Sequence, residues 1–319
     1  MGFLSSIFGH NRKENAHEDK QNVQKKFEIF KYDGMRAQRM GRMDYAIQCF
    51  CEALKIEEDF ETMTYLSQTY IQTGKLKRAH QLLHQMKEKE PTHIPTLLTL
   101  GHICYLLEEY KEMAEVAQKA IAIEEGNAMA HYLLGKATDG LGDSIMSIAH
   151  LTKSIILKED FIEARLMRAE ALLKLNQPTE AMEDINAILS YNPDDENALL
   201  LKGKISEVAG KEEKAEQIYK HITELNPFNE QAFLYLGNLF IIQGKYSEAI
   251  TLFDEAIEFN PNSSNAFHER GRAKLLNGDK VGSFEDMKKA VELAPQEMEN
   301  LNGQFNNQTL GNQSNVLGL

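Results

Sequence analysis

The stretch GKYSEAITLFDEAIEFNP, Gly244 to Pro261, opens on glycine and closes on proline, with Ala249, Phe253, Ala256 and Ile257 at helical spacing between them. Apolar residues three and four apart mark one face of an amphipathic helix. Proline then stops the helix, because it lacks an N–H and restricts the residue before it. Just upstream, NEQAFLYLGNLFIIQ shows the same periodicity, so Gln243-Gly244 divides two helices and the whole segment from Asn229 to Pro261 reads as a helical hairpin.

The hairpin recurs. Pro193, Pro227, Pro261 and Pro295 are each 34 residues apart, and Pro91 lies three such steps before Pro193. Gly101, Gly135, Gly203, Gly237 and Gly271 keep the same register, with Ser67 and Ala169 filling the gaps. A column of small residues at a fixed period marks repeated close packing.

Within one period, Phe233, Leu236, Gly237, Phe240, Ala249, Phe253 and Pro261 resemble the tetratricopeptide repeat pattern, with Phe where Trp and Tyr often stand. Leu100-Gly101, Leu134-Gly135, GRMDYAIQCFCEALKIEED and GDKVGSFEDMKKAVELAP repeat it in phase. The resemblance implies an all-α, right-handed superhelical solenoid of helical hairpins. Eight units are expected, at 27–59, 60–93, 94–127, 128–161, 162–195, 196–229, 230–263 and 264–297. The first is one residue short, since Ala46 to Ala79 spans 33. Met113 and Ser147 stand where Ala is usual, and Glu125 and Glu159 replace the closing proline.

Two flanks remain. Residues 1–26 form an N-terminal segment in which Phe3, Leu4, Ile7 and Phe8 suggest a short amphipathic entry helix; MGFLSS also fits the pattern for acylation at Gly2. Residues 298–319 are rich in Asn, Gln and Gly and are expected to be disordered.

Composition narrows the function. With 42% hydrophobic and 26% charged residues the chain should fold, and the absence of a long apolar run points to a cytoplasmic protein. A net charge of −13 argues against a nucleic-acid binder, which needs a concentrated basic surface. Cys49, Cys51 and Cys104 are too few for a disulfide framework. Cys49 and Cys51 are two apart on a helix and point to different sides, against a shared metal. No phosphate-binding glycine loop, Gly-x-Ser-x-Gly motif or zinc-protease histidine pair is present. The expectation is therefore no enzyme, no cofactor and no metal ligand.

Binding is the better reading. In the resembled family the first helix of each hairpin lines a concave groove that holds an extended or helical peptide. On each first helix here, residues four and seven apart share the face opposite the core. Those columns give candidate groove residues Leu98, His102, Tyr105, Tyr132, Lys136, Leu166, Glu170, Leu173, Leu200, Lys204, Leu234, Asn238, Ile241 and Arg272. Leu98, Tyr105, Tyr132, Leu166, Leu173, Leu200, Leu234 and Ile241 are expected to form an exposed apolar strip, with packing between first helices as the alternative for any one of them. Lys136, Lys204 and Arg272 are read either as solvated charges with acidic neighbours or as contacts to carboxylates on a partner.

One subclass of the family clamps acidic chaperone tails with a set of Lys, Asn and Arg. Lys31 matches it, but Met35, Tyr65, Pro95 and Thr99 occupy companion positions, so that ligand is not expected. The reading is a scaffold or adaptor binding another protein or a peptide. A peripheral membrane-associated assembly or co-chaperone role through the N-terminal segment is the alternative, and the oligomeric state is open.

Overall fold

The computed structural model describes residues 4–295, with side chains from residue 21 onward. The acylation motif at Gly2, the apolar set around Phe3 and the tail from 298 lie outside the described side chains. Among the described residues there are sixteen helices and no strand.

Two compact units divide the chain, Met1–Ala164 and Arg165–Leu319. The first contains α1 (Leu4–Arg39), α2 (Met43–Ile56), α3 (Phe60–Gln72), α4 (Leu76–Lys89), α5 (Ile94–Leu106), α6 (Tyr110–Ile123), α7 (Ala128–Gly140) and α8 (Ser144–Leu157). The division falls inside α9 (Ile162–Lys174). The second unit continues with α10 (Pro178–Tyr191), α11 (Glu196–Val208), α12 (Glu212–Leu225), α13 (Glu230–Ile242), α14 (Tyr246–Phe259), α15 (Ser264–Leu276) and α16 (Lys280–Leu293). From α3 onward, odd-numbered helices start every 34 residues.

Within the units, consecutive helices pack against one another from α1 to α8 and from α10 to α16, and first helices also meet across repeats: α1 with α3, α5 with α7, α13 with α15. A lone hairpin leaves one apolar face uncovered, so each must cover its neighbour's. The first unit's core joins Phe50, Leu83, Leu100, Ile103, Met113 and Leu134. In the second, Tyr219, Ile222, Phe233, Leu236 and Phe253 do the same.

At Gly203 and Gly237 the small column is explained within the hairpin. A Cβ built on Gly237 would lie 2.4 Å from Phe253 Cζ, and one on Gly203 would lie 2.2 Å from Tyr219 Cε1. Both rings belong to the second helix, sixteen residues further on. The glycine lets the first helix settle onto the ring of its own partner helix. Ala249, fully buried on α14, is the small residue of that second helix.

The ends of the helices carry their own chemistry. Asp59, Asn127, Asp195, Asn229 and Ser263 each accept a hydrogen bond from the backbone N–H three residues on, capping α3, α7, α11, α13 and α15 in one register. Between the two helices of a hairpin the chain passes through a left-handed residue, as at Gly74 (φ 68°) and Gly244 (φ 74°). Glu108 (φ 59°) and Asn176 (φ 56°) hold the same position without glycine's freedom.

Two buried carboxylates brace the second unit. Asp184 on α10 takes Nε and Nη2 of Arg168 at 2.7 and 2.6 Å. Asp286 on α16 takes the same two groups of Arg270 at 2.8 and 2.6 Å, and Lys274 Nζ at 2.8 Å. Burial opposes the charge of Asp286, but the hydrogen bonds from Arg270 and Lys274 outweigh it and hold the carboxyl below its usual value.

Gly237→Ala should cost about 1–3 kcal/mol through overpacking against Phe253, whereas Glu108→Gly should gain about 1 kcal/mol by relieving the left-handed backbone; urea unfolding measures both. Because the folded pKa of Asp286 is depressed, its stabilisation is present above the unfolded carboxylate value of about 3.9 and is lost as pH falls through the folded value. Asp286→Asn should lower stability at pH 7 by about 3 kcal/mol, by leaving buried cations unpaired, and should flatten the acid limb of a stability–pH curve.

Candidate functional site

The first-helix faces of the two units differ in what they hold. On the first unit, α5 presents half-buried Leu98 and Tyr105 and exposed His102, and α7 presents half-buried Tyr132 and Lys136. Lys136 Nζ sits 3.4 Å from the centre of the Tyr105 ring and 5.4 Å from that of Tyr132. Such placement over ring faces attracts a cation without neutralising it. Burial holds the Lys136 ammonium below its ordinary pKa. His102 is likewise depressed, by burial first and by the Lys136 charge second.

None of the ion pairs among the described residues includes Lys136. Lys31 differs: its Nζ lies 2.9 Å from Asp59 Oδ2 and 2.6 Å from Glu61 Oε2. Burial works against the Lys31 charge, yet the bonds to Glu61 and Asp59 push its pKa up. The one residue matching the chaperone-tail clamp is thus committed to the chain's own acids.

On the second unit, Leu200 is half-buried and packs against the core, Glu170 is exposed, and Leu166 and Leu173 are half-buried on α9. Leu234 and Ile241 are core residues, 7% and 5% exposed, so the expected exposed strip does not include them. The alternative weighed from the sequence, packing between neighbouring first helices, applies to both: α13 packs against α15 as well as α14, and little of its surface stays open.

The three basic points also separate. Lys204 Nζ lies 4.4 Å from the Tyr235 ring centre and is exposed. Arg272 Nη1 lies 2.8 Å from Glu269 Oε2 and 3.4 Å from Asn238 Oδ1. Burial opposes the charge of Glu269, but His268 and Arg272 hold its carboxyl below the usual value. Arg272 is therefore an internally paired cation, whereas Lys136 and Lys204 rest on tyrosine rings. Tyr235 was missed from the sequence; an aromatic adjoining a groove column in the next repeat was the available signal.

Three models of repeat families match separate parts of the chain: "TPR repeat" over 237–278, "Tetratricopeptide repeat" over 166–230, and "Anaphase-promoting complex, cyclosome, subunit 3" over 40–120. A tetratricopeptide repeat protein from Parabacteroides merdae superposes with a TM-score of 0.63 at 20% identity, covering 73% of this chain and 93% of that one. The anaphase-promoting-complex assembly Cut9-Hcn1 gives 0.57 at 13% identity, covering 80% of this chain and 50% of its own. The protein is a tetratricopeptide-repeat protein.

Among curated relatives, "DnaJ homolog subfamily C member 3" of Mus musculus is 31% identical over 100 residues, 31% of this chain and 18% of the relative. "Protein O-mannosyl-transferase TMTC1" of Homo sapiens is 22% identical over 191 residues, 57% of this chain and 21% of the relative. The chain spans about a fifth of the length of these relatives. No helix among the described residues is long and apolar enough to cross a membrane.

Proposed function

We propose that the chain is a cytoplasmic, non-enzymatic scaffold that binds a carboxylate-bearing segment of another protein on its first-helix faces. The observation that carries this reading is Lys136, a half-buried ammonium on two tyrosine rings without an ion-pair partner among the described residues. A partly desolvated cation gains most from a partner's carboxylate, because the cost of burial has already been met in the free protein. Leu98, His102, Tyr105 and Tyr132 supply the apolar and aromatic surround. Lys204 over Tyr235, with Leu200 and Leu166, offers a similar chemistry on the second unit.

One structural neighbour is a subunit assembly by its description, which supports a binding role for such repeats, while a relative matched over 57% of this chain is an O-mannosyl-transferase by name. The cysteines Cys49, Cys51 and Cys104 are unbridged, which fits a reducing compartment.

The test compares native-lysate capture by the wild-type chain with capture by Lys136→Glu and by Lys204→Glu, each first shown to keep wild-type helicity and melting. A captured partner is then mapped to its binding segment and titrated at low and high salt. The expected result is an acidic segment whose affinity falls at least tenfold, ~1.4 kcal/mol, with Lys136→Glu, the loss being larger at low salt. Identical partners and affinities for all three proteins would place binding elsewhere.

A further inference from the structure

The histidines and acids that the sequence scatters over several repeats are partly brought together in the first unit. His80 and His84 stand four apart on α4 and share a face. Cys104 lies near the end of α5, Glu109 precedes α6, and Glu112 is in the first turn of α6. One donor atom each from His80, Cys104, Glu109 and Glu112 lies within 4.8 Å of the others.

The centre of this cluster is crowded with acceptors. His80 Nε2 is 3.0 Å from Glu112 Oε2, 3.3 Å from Glu109 Oε2 and 3.3 Å from His84 Nε2. His84 Nε2 meets the other oxygen of Glu112 at 2.5 Å. A single imidazole nitrogen carries one proton or one lone pair and cannot satisfy three such neighbours at once.

We propose that His80, Cys104 and Glu112, with Glu109 closing the set, bind a zinc-class divalent cation that staples the hairpin α3–α4 to the hairpin α5–α6. Imidazole, thiolate and carboxylate together are the donor set of a borderline metal rather than of calcium or magnesium. Ligand bonds of about 2.0–2.3 Å put tetrahedral donors roughly 3.3–3.8 Å apart. The separations of His80 Nε2 from the carboxylate donors of Glu112 and Glu109, 3.0 and 3.3 Å, are already at or just below that range. The Cys104 thiol is fully buried while Glu109 is about half-exposed, so the site has a fixed floor and an adjustable rim. His84, holding the second oxygen of Glu112, orients that carboxylate toward the centre.

The alternative occupant is a proton: a purely ionic network of protonated histidines and carboxylates would fill the same space. Cobalt(II) separates the two, because a tetrahedral thiolate site gives intense ligand-field bands and a sulfur-to-cobalt charge-transfer band. The chelator-stripped full chain is titrated with cobalt(II) and then with zinc(II), beside Cys104→Ser and His80→Gln variants checked for helicity.

The expected result is one equivalent of tetrahedral cobalt displaced by zinc, loss of the charge-transfer band in Cys104→Ser, and affinity at least about a hundredfold weaker in His80→Gln. Zinc should also raise the melting temperature of the wild type and not that of His80→Gln. The Cys104 band discriminates against binding at Cys49 or Cys51. Octahedral cobalt only, or a spectrum and stoichiometry unchanged in both folded variants, would overturn the site.

Discussion

In several hairpins, the distance between the two helices is set where a glycine on the first meets a bulky side chain sixteen positions later on the second. Gly34 faces Phe50, Gly203 faces Tyr219 and Gly237 faces Phe253, at separations that leave no room for a Cβ. Everything else in the repeat inherits this spacing. The rings fill the space between helices, the cores of both units are built around them, and the opposite faces of the first helices are fixed in orientation. Where the column carries a Cβ, at Ser67 and Ala169, the residues at the matching position are Leu83 and Ile185, aliphatic rather than aromatic. These two repeats exchange the glycine–ring pair for a larger first residue and a smaller partner, whereas Gly101 meets Leu133 of the next repeat.

Hairpin spacing alone does not hold successive repeats in register; polar contacts at the helix ends add to it. Glu196 accepts from Asn226 and Asn229, and Glu230 from Asn260 and Ser263, one repeat further on. Those acceptor carboxylates open first helices, while Asn229 and Ser263 also cap the next ones. The same groups therefore satisfy orphan backbone donors and tie neighbours together. Lys136, by contrast, rests on tyrosine rings without an ion-pair partner among the described residues, which sets it apart from Arg272 and Lys31.

The helices and their period were legible because glycine, proline and apolar spacing act locally, and each hairpin repeats the same local instructions. The glycine column announced close packing but not its partner, since a ring sixteen residues away is a tertiary neighbour. Exposure was less legible. Leu234 shares a helical column with Leu200 and Ile241 shares one with Leu173, yet α13 is buried on more sides than the column pattern reveals. Charges were least legible: whether Lys31, Lys136 or Arg272 has an internal acid depends on Asp59, on tyrosine rings and on Glu269. The His80 cluster was open to discovery through the i, i+4 pair His80 and His84, but Cys104 and Glu112 reach it only through the packing of three helices.

The most direct test of the packing account is a double-mutant cycle between Gly237→Ala and Phe253→Ile, the pair that occurs as Ala169 and Ile185 elsewhere in the chain. Equilibrium unfolding of the wild type, both single variants and the double variant gives the coupling. The account predicts that the double variant loses at least ~1 kcal/mol less than the sum of the singles, since the smaller side chain makes room for the added methyl. Additivity within about 0.5 kcal/mol would contradict it, showing that the glycine and the ring do not set each other's position.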